Sequence, residues 1–194
     1  MYILRAVRSE SGRMKEIRVH GRGGMGNVTA AEILAQAAFA DGKYAQAFPS
    51  FGAERQGAPV VAFVRISDQP IRLRQQVYEP DYLIVQDPGL LYSGDVMDGL
   101  KPGGTLLVNT NRPGEELPIA KGFKIYTVPA LQVAYEIIGR PFFNVVMVGA
   151  FACATGVVGL EAVVKAIKER FPGELGEKEA EATRMACERI GECG

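Results

Sequence analysis

The sequence has one histidine, three cysteines and no tryptophan. A lone imidazole excludes any site built on two His ligands, and zinc-protease chemistry with it. Three thiols fall short of the four thiolates that usually hold an iron–sulfur cluster, and the spacings of Cys153, Cys187 and Cys193 fit no zinc pattern. The chain alone is therefore expected to carry neither cluster nor metal. An odd cysteine count, with Cys153 inside an apolar stretch, suits a reducing, cytoplasmic setting in which buried Cys acts as a small hydrophobe.

An excess of charge is also missing: 22 Lys and Arg face 22 Asp and Glu. Nothing draws such a chain to phosphate backbones or anionic lipid, so neither nucleic acid nor membrane is an expected partner. No G-x-x-x-x-G-K-[ST] occurs, which removes the P-loop and its ATPase chemistry. The one long uncharged run, Pro141–Leu160, approaches the ~20 residues of a membrane span. Its glycines stop a helix after about four turns, which predicts a buried helix instead. Residues 1–13 hold three arginines but too short an apolar cluster for an export signal. They are read as an extension or disordered lead, and residues 14–194 as the domain.

The 194 residues fit a single domain and bury about 70% of the unfolded surface, which leaves no need for a disulfide or metal. Their pattern alternates strand and helix. Strands are expected at Glu16–His20, Lys43–Phe48, Val60–Ile66, Tyr82–Gln86, Thr105–Asn109 and Lys124–Val128. Ile71–Leu73 is read as a further strand after the turn at Ser67–Pro70, in a hairpin with Val60–Ile66 or as an edge addition. Helices are expected at Asn27–Ala40, Tyr92–Leu100, Pro129–Ile138, Phe142–Thr155, Leu160–Arg170 and Glu174–Ile190. On the last, Glu177, Lys178, Glu179, Glu181, Arg184, Glu188 and Arg189 read as a solvated face. Alternation of this kind predicts an α/β fold: a doubly wound, mostly parallel, Rossmann-like sheet with helices on both faces.

Two loops carry the candidate chemistry. Gly21-Arg22-Gly23-Gly24-Met25-Gly26 fits G-x-G-x-x-G between a strand and a helix. There glycine lets a ligand approach the backbone, and the first helical N–H groups favour an anion. Arg22 is placed to add charge-assisted hydrogen bonds. The second loop, Phe48–Pro59, is expected at the same carboxyl edge of the sheet. It offers Arg55 and Gln56 to phosphate or carboxylate and Phe48 and Phe51 to a base; alternatively Arg55 pairs with Glu54 or an acidic partner group, and both Phe side chains belong to the core. A dinucleotide site also needs an acid at the end of the second strand, whereas Asp41 precedes that strand, where Asp-Gly reads as a helix stop. An NAD(P)-binding oxidoreductase domain, or an empty turn in a purely structural subunit, are the competing readings. His20 reads as a structural hydrogen-bonding residue and Asp87 as a helix cap.

GRGGMGNVTAAEILAQAA (Gly21–Ala38) together with YAQAFPSFGAERQGAPVVAFVRISDQPI (Tyr44–Ile71) resembles the gamma subunits of the pyruvate:ferredoxin and wider 2-oxoacid:ferredoxin oxidoreductase family. The AFPSFGAERQGAP block is far more specific than any glycine pattern. The resemblance runs from about Met14 to the charged C-terminal helix. It implies an α/β piece of a larger enzyme, with alpha, beta and delta subunits and ferredoxin as partners. The implied reaction is oxidative decarboxylation of a 2-oxoacid with acyl transfer to coenzyme A (CoA). Thiamine diphosphate, Mg and [4Fe–4S] clusters would belong to the partners. For this chain it implies no catalytic residue, but assembly and contact with CoA through Gly21, Arg22, Gly23, Gly24, Met25, Gly26, Arg55 and Gln56. The family often carries Gln where Met25 stands and Arg where Gln56 stands, so what transfers is the backbone cradle.

Overall fold

The computed structural model of the chain describes residues 13–50, 57–93 and 95–193; of the expected extension at residues 1–13, all but Arg13 lies outside the described residues. In chain order the elements are β1 (Lys15–Arg22), α1 (Asn27–Ala40), β2 (Tyr44–Pro49), β3 (Pro59–Ser67), β4 (Tyr82–Val85), β5 (Thr105–Asn109), β6 (Lys124–Val128), α2 (Ala130–Ile137), α3 (Phe143–Thr155), α4 (Leu160–Arg170), α5 (Glu174–Glu188) and β7 (Gly191–Cys193). Short 3-10 turns occupy Pro88–Tyr92 and Gly114–Glu116.

The strands form one seven-stranded sheet in the order β2-β3-β1-β4-β5-β6-β7. β1, β4, β5 and β6 are parallel neighbours. β2 runs with them, because it opposes β3 and β3 opposes β1. β7 runs antiparallel to β6. The expected α/β class with a mostly parallel sheet therefore holds. β4 and β5 are continuous apolar runs because the sheet is covered on both sides there.

Side-chain alternation divides the core by face. Ile17, Val19, Val64, Ile84, Leu107 and Val128 pack under the α-helices. Leu83, Val85, Leu106, Val108 and Ile125 point the other way, to Leu90, Leu91, Val96, Leu100 and Leu117. Among the described residues, helical structure thus lies on both faces but unequally, with α1–α5 on one and 3-10 turns and loops on the other.

α3 is the interior helix: Val145, Val146, Met147, Val148 and Ala150 have no exposed surface, and Gly156 ends it in the left-handed region at φ 64°. A Cβ at Gly149 would clash with Thr183 of α5, so glycine there sets how closely the two helices pack. Among the described residues no helix is long and apolar enough to cross a membrane.

Four expectations are corrected. Ile71–Leu73 forms no strand, because both edges of β3 are already taken by β2 and β1 and no ladder position is free. Tyr92–Leu100 is no α-helix. The chain makes the 3-10 turn Pro88–Tyr92 and then, among the described residues, the i,i+3 bonds Asp98 N to Asp95 O and Leu100 N to Met97 O, with Gly99 at φ 73°.

Cys153 is exposed rather than a core residue, and it is joined to Cys187 in a disulfide linking α3 to α5. The inference of a reducing compartment from unpaired thiols falls with that pairing. Glu179, read as solvated, is 1% exposed. Burial pushes its carboxyl up to about 7. The rest of that helix face behaves as expected: Lys178 pairs with Glu174 at 2.7 Å and Arg184 with Glu161 at 3.0 Å.

Candidate functional site

Residues Gly21–Gly26 turn the chain from β1 into α1 at the carboxyl edge of the parallel strands. Arg22 pairs with Pro59 at the start of β3. Beyond it, Gly23 N donates to Ala58 O at 2.9 Å and Gly57 N donates to Gly23 O at 3.2 Å. The glycine turn and the end of the second loop therefore meet at one edge, as expected of both. Arg55 and Gln56 lie outside the described residues, as do Phe51 and Glu54. Phe48 packs against Phe63, ring centroids 5.2 Å apart. Phe48 is half-buried and outside the core, and the Arg65 guanidinium lies 5.4 Å from its ring. Arg65 itself is fully buried on β3 and donates to Glu16 at 2.8 Å.

The glycines have separable duties. A Cβ at Gly21 would collide with Oδ1 of Asn27, whose side chain is buried against the turn. Gly26 has φ 74°, and a Cβ there would lie 2.6 Å from Nδ2 of Asn144; that amide donates to Gly26 O at 3.4 Å and seats the start of α3 on the turn. At Gly24, φ 94°, a Cβ would project into open space. α1 starts at Gly26 with no side-chain cap and no acid in its first turn. Its leading N–H groups and positive dipole end are thus left available to an anion.

Arg22 does not stand alone. Its Nε donates to Asp87 Oδ2 and its Nη1 to Gly57 O. Asp87 also caps the 3-10 turn, Oδ1 accepting from Gly89 N at 2.9 Å, so the expected capping role is borne out. His20 is 6% exposed. Burial, with Arg18 adding to it, lowers its pKa to about 3 and keeps the ring neutral. Its carbonyl accepts from Gln86 N at 2.8 Å.

Asp41 closes α1 and accepts from Gly159 N, at the end of β2 opposite the glycine turn. A ribose-binding acid for a dinucleotide is thus not where that site needs one. Among the described residues no group of three or more His, Cys, Asp or Glu is placed to hold a metal ion.

Sequence reasoning missed a cavity of about 720 Å³ at the same edge, where β4, β5 and β6 end. Gln86 and Asn109 line it, with Arg112 and Tyr92 beyond them, Tyr135 and Leu131 from α2, and Met25 from the glycine turn. Asn109 is fully engaged: its Nδ2 donates to Gln86 O at 3.0 Å and its Oδ1 accepts from Leu131 N at 3.3 Å. Gln86 is 1% exposed, yet neither its Oε1 nor its Nε2 has a partner. Tyr92, Tyr135 and Leu131 are exposed. The available signal was positional: each of Gln86, Asn109 and Pro129 directly ends an apolar parallel strand, where α/β sheets bind ligands.

Residues 16–189 match the family described as pyruvate ferredoxin/flavodoxin oxidoreductase. The chain is 55% identical over 181 residues to pyruvate synthase subunit PorC of Methanothermobacter marburgensis, spanning 93% of this chain and 100% of that one. It is 55% identical over 179 residues to the common subunit gamma of the pyruvate/ketoisovalerate oxidoreductases of Thermococcus litoralis, spanning 91% and 97%. The crystal structure of pyruvate oxidoreductase subunit PORC from Thermotoga maritima is similar with a TM-score of 0.83 at 40% identity, over 94% of this chain and 99% of that one.

Proposed function

Because the chain belongs to the pyruvate ferredoxin/flavodoxin oxidoreductase family, we propose that it is the gamma subunit of a multi-subunit pyruvate (2-oxoacid):ferredoxin oxidoreductase and that it positions CoA there. The whole enzyme converts 2-oxoacid, CoA and oxidised ferredoxin to acyl-CoA, CO₂ and reduced ferredoxin. Partner alpha, beta and delta subunits hold the thiamine diphosphate, its Mg and the [4Fe–4S] clusters. This chain's own donors do not fit such groups: Cys153 and Cys187 are bonded to each other, and no carboxylate cluster is assembled among the described residues.

The observation that supports CoA handling is the uncapped, acid-free start of α1 beside a glycine turn whose Gly24 opens outward. The diphosphate of CoA is an anion of the kind such a turn receives. Fixing the carrier there contributes orientation, bringing its thiol to an acyl group generated on a neighbouring chain. Arg55 and Gln56, on the second loop, belong to the same proposed contact.

Steady-state kinetics of the reconstituted complex test this reading. Gly24→Val places a side chain in the path of the phosphates. It is expected to raise the KM for CoA at least tenfold while leaving the KM for pyruvate unchanged. An unchanged CoA KM removes the turn from this role and leaves a purely structural subunit. The isolated chain is expected to reduce no ferredoxin; ferredoxin reduction by it alone would overturn the subunit reading.

A further inference from the structure

β2 is an end strand of the sheet, with β3 on one side and, among the described residues, no strand on the other. An open strand edge is a row of unused N–H and C=O groups that pairs readily with another chain, and proteins blunt it with charge, proline, a bulge or a covering segment. β2 reads YAQAFP and holds no charge; its proline is its last residue, and its register with β3 is unbroken. Two aromatic side chains stand uncovered beside this edge, Phe39 at 76% exposed and Tyr44 at 50%. Phe39 and Ala45 also line a groove of about 820 Å³ between α1 and α4, whose rim carries Lys165, Glu169 and Arg170.

The ladder shows which groups β2 turns outward. Ser50 N donates to Val61 O at 2.8 Å, and these two residues stand directly opposite when the β2–β3 register is continued by one pair. Hydrogen-bonded pairs alternate along an antiparallel ladder, so Tyr44, Gln46 and Phe48 give their backbone groups to β3, while Ala45 and Ala47 turn theirs outward. A second β2 laid antiparallel about a two-fold axis at Gln46 uses all of them: each Ala45 faces the other copy's Ala47, and the two exchange both hydrogen bonds. Ala45 and Ala47 lie on the face that packs under the helices. On the opposite face the same register sets Tyr44 against the other copy's Phe48, which extends the Phe63–Phe48 row by one ring. Moving the axis to Ala47 sets Ala45 against Pro49, which has no N–H to give.

We propose that the open edge of β2 is an isologous interface through which two copies of this chain join, their sheets continuing into each other across Gln46. The strand is self-complementary in this one register, and a groove rim carrying both signs of charge suits a second copy better than a partner of strong single-sign charge.

Cross-linking in the reconstituted complex reads the register. In a Cys193→Ser chain the other two cysteines are bonded to each other, so an added thiol is the reactive one. Gln46→Cys puts two thiols at the axis, where opposed Cα atoms lie about 4.5 Å apart, within disulfide reach. Mild oxidation is expected to convert most of this variant to a dimer of the chain. Tyr44→Cys places its two copies ~13 Å apart and is expected to give none. No dimer from Gln46→Cys, equal yields from the two variants, or a product joining Gln46→Cys to a different subunit would overturn the proposal.

Light scattering on the purified full chain is the second readout. The native chain is expected at twice its own mass. Ala47→Pro is expected at single mass, because that proline removes an outward N–H and leaves the β2–β3 ladder whole. Tyr44→Lys, at an exposed position, is expected to raise the dissociation constant of the dimer at least tenfold. A native chain of single mass, or a dimer whose dissociation constant neither substitution changes, would show that this edge joins no second copy. Neither readout depends on where CoA binds, so this inference and the function proposed above fail separately.

Discussion

Arg22 and Asp87 tie the turn after β1 to the turn after β4 through an ion pair, and Asp87 caps the 3-10 turn with its other oxygen. One carboxylate thus fixes the cavity wall and offsets the cation nearest the glycine turn. The two duties separate by mutation. Asp87→Asn keeps a capping oxygen but removes the charge, so Arg22 is left uncompensated beside the anion path. The CoA KM of the complex is expected to fall severalfold, and Arg22→Ala is expected to raise it. In a double-mutant cycle on thermal stability the pair is expected to couple by about 0.5–1 kcal/mol, since both groups reach solvent. A CoA KM indifferent to both substitutions would show that Arg22 serves only to hold the two turns together.

The Cys153–Cys187 bond closes a segment of 34 residues and clamps α5 to α3. Loop-closure entropy assigns about 4 kcal/mol to a staple of that span. The Cys153→Ala, Cys187→Ala double variant is therefore expected to unfold at a lower temperature and lower denaturant concentration. Thiol titration of the denatured chain should count two more reactive groups after reduction than before. Equal counts with and without reductant would show that the two cysteines are not bonded in the purified protein.

Glu179 makes stability depend on pH. Its folded carboxyl titrates at about 7, above the ordinary value of 4.5, because burial disfavours the charge. The sign follows from proton uptake, since between these values the folded state holds the proton that the unfolded chain has released. This contribution is greatest below about pH 4.5, declines as pH rises toward 7, and is fully lost above it. Glu179→Gln removes the titration. The variant is expected to gain Tm over the native chain at pH 8 and to lose most of that advantage at pH 5. A Tm difference that is the same at both values would contradict the buried-carboxyl assignment.

Much of this molecule is written locally. The Asn27–Ala40, Leu160–Arg170, Thr105–Asn109 and Lys124–Val128 elements are bounded by their own periodicity and punctuation, and they form over the residues the sequence predicts. The errors lie where long-range geometry decides. Ile71–Leu73 has the composition of a strand, but β3 has no open edge for it. Glu179 sits in a run of charges, yet its register on α5 turns it inward. Cys153 is apolar by context and exposed in space, and nothing in a spacing of 34 residues names Cys187 as its mate.

The candidate site divides the same way. The glycine turn is a local motif and was legible. The cavity is assembled from the ends of three strands far apart in sequence, and Gln86 differs from any other glutamine only because its neighbours leave both amide atoms unpaired.

Calorimetric titration of CoA into the assembled complex is the most direct measurement of what this chain does. With the native chain, saturable binding is expected at one site per gamma subunit. With Gly24→Val incorporated at unchanged subunit composition, the dissociation constant is expected to rise at least tenfold. An identical dissociation constant in the two complexes would mean that CoA is held elsewhere and that the turn between β1 and α1 receives no carrier.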